Sequence, residues 1–300
     1  MNDMLSGIPE FVEAVEAGGF SAAAAHMNLS RSAIGKTIAK LERRLNVRLF
    51  HRTTRMQSLT DEGHAFYERC RRALDEIQSG EAMLESGKRE VTGRLRISMP
   101  VLFGRRCLTQ LLLELARMHP KLELDLSFSD RVIDLFDESF DLAIRNGVLR
   151  DEAGLAARKI AFHRMTLCAS PAYLAERGAP QTIADLDNHD LIVYARSGET
   201  KKWTFLQHDG TAVDYFPQTR LRLDDLEVMA DVAASGMGLA WLPCWLVRDY
   251  VAAGTLTQPM KNVSSRAVNV YAVWPQVPQV SLKMRAVIDL LAARLPDVMD

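Results

Sequence analysis

The sequence predicts a multi-domain protein: an all-α head with a small hairpin, one long linker helix, and an α/β part folded as two Rossmann-like lobes. Three observations predict it. Helical periodicity broken by Gly and Asn turns fills the first 60 residues, near-heptad spacing continues to about residue 90, and strand-like and helix-like runs then alternate. With 300 residues, 48% hydrophobic and 25% charged, the chain is long enough for at least two domains, and its composition excludes a disordered polymer. No stretch approaches the ~20 apolar residues of a membrane helix, and the first residues lack the basic and apolar regions of an export signal. The expectation is a cytoplasmic protein without membrane contact. Cys70, Cys107, Cys168 and Cys244 are scattered, with no C-x-x-C pair and no His cluster, so reduced thiols are expected and no metal or cofactor.

In the head, Leu5, Ile8, Phe11, Val12 and Val15 recur at helical spacing and stop at Gly18-Gly19. Ser21 can cap a short alanine-rich helix from Ala22 to Met27, and Asn28-Leu29-Ser30 reads as a tight turn. Ser30 then caps a third helix, on which Ile34, Ile38, Leu41 and Leu45 form one apolar stripe. At ~100° per residue, Ser32, Lys36 and Arg43 point away from that stripe, flanked by Ala39 and Lys40. Charge follows the same division. The net charge of -1 conceals eight Lys and Arg between residues 30 and 55 against the single acid Glu42.

Two helices joined by a tight turn, the second basic and polar at its start, match a helix-turn-helix, whose second helix enters the major groove. Short extended stretches from Leu49 to Arg52 and from Met56 to Leu59 flank Thr53-Thr54-Arg55, a polar tip suited to phosphate or the minor groove. The competing reading of this region is a three-helix protein-binding domain.

These residues carry a resemblance. Phe20-Ser21-Ala22-Ala23-Ala24, Leu29-Ser30-Arg31-Ser32-Ala33-Ile34, Ile38 to Glu42, Leu45 to Arg55 and Leu59-Thr60-Asp61-Glu62-Gly63 resemble the N-terminal domain of LysR-type transcriptional regulators. The resemblance implies a winged helix-turn-helix in which Arg31, Ser32 and Lys36 approach bases and phosphates, with Arg52, Thr54 and Arg55 in the wing. Gly35 departs from it, since many family members carry Ser there. The resemblance also implies double-stranded promoter DNA, a homodimer or homotetramer, and RNA polymerase as partners.

Thr60 can cap a helix from Asp61 to about Gly87, with Asp61 and Glu62 favouring its positive end. Phe66, Cys70, Leu74, Ile77 and Leu84 lie near heptad positions, so two such helices can pair and hold two heads about one DNA turn apart. Packing against its own domain is the alternative. The expected division is residues 1–60 for DNA binding, 61–90 for the linker and dimerisation helix, and 91–300 for effector binding.

From residue 91 the expected order is Leu95 to Ser98, a helix from Arg105 to Met118, Leu122 to Phe128, a short helix from Arg131 to Glu138, and Asp141 to Arg145. A second set runs from Met165 to Ser170 through Leu191 to Tyr194, Arg220 to Leu223, a helix from Leu226 to Ser235, and Leu239 to Leu242. Strand Val268 to Val273 and helix Leu282 to Leu295 return to the first set. Alternation of this kind implies parallel sheets with helices on both faces. Lobe I spans about 91–163 and 266–300 and lobe II about 164–265, with crossovers near 162–166 and 263–267. Phe128-Ser129-Asp130, Phe140 to Arg145, Leu167 to Leu174 and Gly236 to Pro243 are similar to the effector domain of the same family, itself like periplasmic solute-binding proteins.

Ligands of open α/β sheets sit beyond the carboxyl ends of strands. That nominates Ser98, Pro100, Leu102, Phe103, Ser129 and Arg145 in one lobe, and Tyr194, Ser197, Asp225 and Leu226 in the other, around a small-molecule effector. Arg145 is either a carboxylate anchor or the partner of Asp141 or Asp130. Trp203 and Trp241 are expected in the core, and Gly236-Met237-Gly238 follows a helix where a nucleotide fingerprint would open one. No G-x-S-x-G, H-E-x-x-H or P-loop pattern is present. The expectation is a ligand-responsive, DNA-binding transcription regulator and not an enzyme. The alternative is a solute-binding or enzymatic α/β domain whose helical N-terminus serves protein interaction.

Overall fold

The computed structural model describes residues 4–51, 58–86, 90–136, 138–149, 153–196, 199–206, 211–260, 263–277 and 279–299. The head consists of α1 (Ile8–Glu16), α2 (Phe20–His26) and α3 (Arg31–Leu45). Ser30 caps α3, its Oγ accepting from Ala33 N at 3.1 Å, and Asn28 makes the preceding turn with φ 54°. Ser21 does not cap α2. That helix opens two residues earlier, on Gly19, whose φ of 151° is a conformation in which a residue with a Cβ is strained.

Phe11, Ala23, Ile34, Ile38 and Leu41 are buried in one core with Leu49 and Phe50, while Leu45 packs on it partly buried. Each of Ile34, Ile38 and Leu41 contributes about 1.5–3 kcal/mol by leaving water. Phe50 and Leu59 form an antiparallel bridge at the base of the hairpin. Helix α4 (Asp61–Ser86) follows, with Thr60 Oγ1 accepting from Gly63 N at 2.9 Å. In its first half Cys70 is buried in the head's own core, and Phe66 and Leu74 pack against it partly buried. Ile77 remains 40% exposed, and the Leu84 side chain lies outside those described.

Beyond the stalk come β1 (Gly93–Met99), α5 (Val101–Phe103), a π turn (Gly104–Leu108), α6 (Thr109–Met118), β2 (Leu122–Phe128), β3 (Leu142–Asn146) and β4 (Leu155–His163). The chain then crosses to β5 (Met165–Cys168), α7 (Pro171–Arg177), a 3-10 turn (Ile183–Asn188), β6 (Leu191–Arg196), β7 (Glu199–Thr200), β8 (Trp203–Leu206) and β9 (Ala212–Tyr215). It continues through β10 (Leu221–Leu223), α8 (Leu226–Ala234), β11 (Leu239–Pro243), α9 (Cys244–Ala252) and β12 (Ser264–Ser265). The return is made by β13 (Val268–Pro275) and α10 (Leu282–Met299).

The sheets are mixed, not parallel. The first has the order β2-β1-β3-β13-β4, in which β13 runs antiparallel to both neighbours because it enters from the other lobe. The second is β10-β6-β11-β5 with β5 antiparallel, and β12-β8-β9 form a small antiparallel layer. Helices α6 and α10 pack on the first sheet, and the stalk helix α4 also contacts its strand β1. Ile133, Leu135 and Phe140 of the β2–β3 loop pack on Ala143 and Val273 of that sheet in a separate cluster. Among the described residues of 131–138 no helix forms. Asp134 Oδ1 instead accepts from Phe136 N at 2.7 Å, and buried Ile133 and Leu135 alternate with exposed Val132 and Phe136. Strands β4, β7, β8, β9 and β12 went unforeseen. The helix expected from Arg105 begins at Val101, after Pro100, and passes through the π turn. Trp203 and Trp241 are core residues, stacked at 6.1 Å.

Candidate functional site

The face of α3 opposite Ile34, Ile38 and Leu41 holds Ser32, Lys36 and Lys40, all exposed, and Arg31 is exposed at the first residue of the helix. Arg31, Lys36, Lys40 and Arg48 have no ion-pair partner among the described residues. No described acid therefore cancels their charge. Glu42, the one acid of this segment, turns the other way: its Oε1 accepts from Leu49 N at 2.8 Å and from Phe50 N at 3.2 Å, fixing the hairpin to α3. Arg52, Thr54 and Arg55 lie outside the described residues.

In the α/β part, Ser98 ends β1 fully buried, and its Oγ meets no partner among the described residues. Pro100 precedes α5, while Leu102 and Phe103 are buried. Phe103 lies 5.6 Å, edge-on, from Trp245, which in turn packs 6.3 Å from His163. Burial holds the His163 imidazole down to about 4, so it is neutral. The Trp245 indole N–H is also buried without a partner among the described residues.

Ser129 Oγ accepts from Arg131 N at 3.2 Å, and Asp130 Oδ1 accepts from Val101 N at 3.0 Å. Arg145 donates to the carbonyls of Arg131 at 3.4 Å and Ile133 at 3.1 Å, holding the β2–β3 loop. Tyr194 lies half-buried within β6 with Lys201 Nζ 5.3 Å from its ring, and burial raises its phenol pKa. Asp225 caps α8, accepting from Glu227 N at 2.8 Å and Val228 N at 3.0 Å, and Leu226 packs on the core. Ser197 lies outside the described residues.

Sequence reasoning missed the groups that bridge the lobes. Arg106 bonds Glu227, and Arg105 lies 3.7 Å from the same carboxylate. Arg196 of lobe II donates to the Asp130 carbonyl of lobe I. Strand alternation offered a signal, because Arg196 lies two residues past Tyr194 and so on the same face. Arg106 and Glu227 keep 44% and 26% side-chain exposure, so each such contact is worth under about 1 kcal/mol and is readily exchanged. A cavity of about 310 Å³ opens elsewhere, at the amino ends of β6 and β10 between His189, Asp190, Gln218, Arg220 and Met237, and none of the sequence-predicted effector residues lines it.

A helix-turn-helix with an uncancelled basic face, joined by a stalk to a two-lobed α/β unit, defines a DNA-binding transcription regulator with an effector domain. The chain belongs to the LysR family: residues 8–64 match the bacterial regulatory helix-turn-helix domain of that family, and residues 88–296 its LysR substrate binding domain. It is 31% identical to the transcriptional regulator CrgA of Neisseria meningitidis over 286 residues, 95% of either chain. It is 33% identical to DmlR of Escherichia coli, covering 96% of this chain and 93% of the relative. The solved structure of CrgA superposes with TM-score 0.61 at 30% identity over 96% of this chain and 98% of the other. Full-length AphB of Vibrio cholerae, a virulence activator, gives 0.59 at 26% identity over 96% and 98%. These relatives are transcription regulators, and so is this chain; it is not an enzyme.

Proposed function

We propose that residues 1–60 read promoter DNA through Arg31, Ser32 and Lys36 of α3, with Arg52, Thr54 and Arg55 contacting the backbone from the hairpin. Residues 61–90 would dimerise, and 91–300 would bind a small metabolite. The carrying observation is the exposed row Ser32, Lys36 and Lys40 opposite a buried stripe, with Arg31 exposed at the helix start, and these cations have no ion-pair partner among the described residues. The partner is a two-fold-related duplex read by a homodimer or homotetramer, and RNA polymerase is the further partner of the bound complex. No helix among the described residues is long and apolar enough to cross a membrane, and the proposed location is the cytoplasm.

The effector site proposed is the cleft between the lobes, with Ser98, Pro100, Leu102, Phe103, Ser129 and Arg145 on one side and Tyr194, Ser197, Asp225 and Leu226 on the other. The unpartnered Ser98 hydroxyl supports it, because buried polar groups nearly always have partners. A ligand preferring one lobe arrangement shifts the population of head positions by no more than its differential affinity. Selection of bound duplexes from random double-stranded DNA tests the DNA reading. Enrichment of a two-fold-related sequence is expected, and a pool left unenriched at low salt would refute it.

A further inference from the structure

An ion network ties the stalk and head to the outer face of lobe I. Tyr67 donates to Glu16 Oε1 at 3.1 Å, joining α4 to α1. The next residue, Glu68, places Oε2 3.3 Å from Arg96 Nη1 on β1 and 3.6 Å from Arg71 Nη2. Arg96 Nε also lies 3.1 Å from Asp125, which Arg94 holds at 2.8 Å. Glu68, Arg71 and Arg96 keep only 12%, 4% and 22% side-chain exposure. Pairs so withdrawn from water are screened far less than surface pairs, and breaking one leaves a poorly solvated charge.

Arg96 also grips the β2–β3 loop. Its peptide exchanges two hydrogen bonds with Asp141, N to Oδ2 at 2.8 Å and Asp141 N to its carbonyl at 3.0 Å. Its guanidinium donates to the carbonyls of Glu138 and Ser139, both at 3.4 Å, and lies 4.9 Å over the Phe140 ring. Ser139 is buried with φ 57°, a left-handed conformation costing about 1–2 kcal/mol that persists only where surroundings impose it. The loop's other end lies in the cleft. There Glu138 pairs with Arg131 at 2.5 Å, Arg145 holds the Arg131 and Ile133 carbonyls, and Arg196 of lobe II holds the Asp130 carbonyl.

We propose that Arg96 is a positioning residue for the DNA-reading head, linking lobe II's hold on Asp130 to the docking of α4 through Glu68. The coupling runs through one short loop clamped at both ends, so releasing either end loosens the other. This rests on the reading that residues 1–60 bind DNA and that lobe closure is the regulated event.

Hydrogen exchange on the full-length protein, without DNA or added small molecule, tests it in Arg196→Ala, Glu68→Gln, their double variant and Arg96→Lys. Thermal unfolding checks that each is folded. Arg196→Ala, although in lobe II, is expected to speed exchange more than threefold in residues 138–141 and also in 64–72. Glu68→Gln is expected to do the same in 64–72, with the double variant no faster than the faster single one. Arg96→Lys keeps the charge but loses the fork, so exchange at 138–141 should rise while 64–72 stays nearer the parent. Should Arg96→Lys fail to fold, Arg196→Ala and Glu68→Gln carry the test alone. Unchanged exchange at 64–72 in Arg196→Ala, or effects that multiply in the double variant, would overturn the proposal. Because no DNA enters the measurement, either result leaves the DNA-reading assignment to be judged by duplex selection alone.

Discussion

Glu42 and Leu49 are joined by a 2.8 Å hydrogen bond from the Leu49 N–H to the Glu42 carboxylate, which also takes the Phe50 N–H. The acid therefore fixes the hairpin against the recognition helix while adding a negative charge to an otherwise basic segment. Leu49 and Phe50 are 1% and 7% exposed, so water cannot replace the lost acceptor. Glu42→Ala should cost about 1–3 kcal/mol of stability, seen as a lower melting temperature. Glu42→Gln keeps an acceptor and removes the charge; it should melt near the parent and bind duplex at least as tightly. Equal melting temperatures for both variants would remove Glu42 from this role.

Two helical glycines should respond with opposite signs. A Cβ on Gly63 would lie 2.0 Å from the Leu49 carbonyl oxygen, so Gly63→Ala must push α4 off the hairpin, costing about 1–3 kcal/mol or more. A Cβ on Gly35 meets only Phe20 at 3.8 Å, an ordinary contact, so Gly35→Ala should stabilise α3 by about 0.5–1 kcal/mol. Denaturant midpoints of the two variants moving in the same direction would contradict this.

Lys36 is exposed on the cationic face, which ties its expected effect to salt. Lys36→Ala should weaken duplex binding and reduce the slope of log affinity against log salt by about one unit. Fluorescence anisotropy across a salt series reads both. A parallel line of unchanged slope would place Lys36 away from phosphate.

His163 gives an acid dependence. Folded, it stays neutral down to about pH 4; unfolded, it takes a proton near pH 6.5. Between those values the unfolded chain holds more protons, so stability falls as pH drops through 6.5 and the loss is complete near 4, amounting to about 3 kcal/mol at most. His163→Phe should flatten that limb of the stability–pH curve by one proton. A curve as steep as the parent's would show that other groups set it.

The amino-acid order by itself determined the reading head. Helical spacing of Ile34, Ile38 and Leu41 is a local signal, and once it buries one side of α3, Lys36 has no direction left but outward. Ser30 and Thr60 act within three residues, so their caps were legible too. The alternation of the main α/β strands and helices was also readable, because strands and helices differ in period, while β4, β7, β8, β9 and β12 were not. What tertiary structure decided involves residues far apart in the chain. Strand β13 arrives from the other lobe and runs antiparallel, a direction no local pattern encodes. That Arg145 donates to the carbonyls of Arg131 and Ile133 depends on the packed loop and not on local sequence pattern. Arg96 and Glu68, 28 positions apart, meet only because the stalk folds back onto the sheet. Periodicity reports which side of an element leaves water; which distant charge waits there depends on how the elements pack.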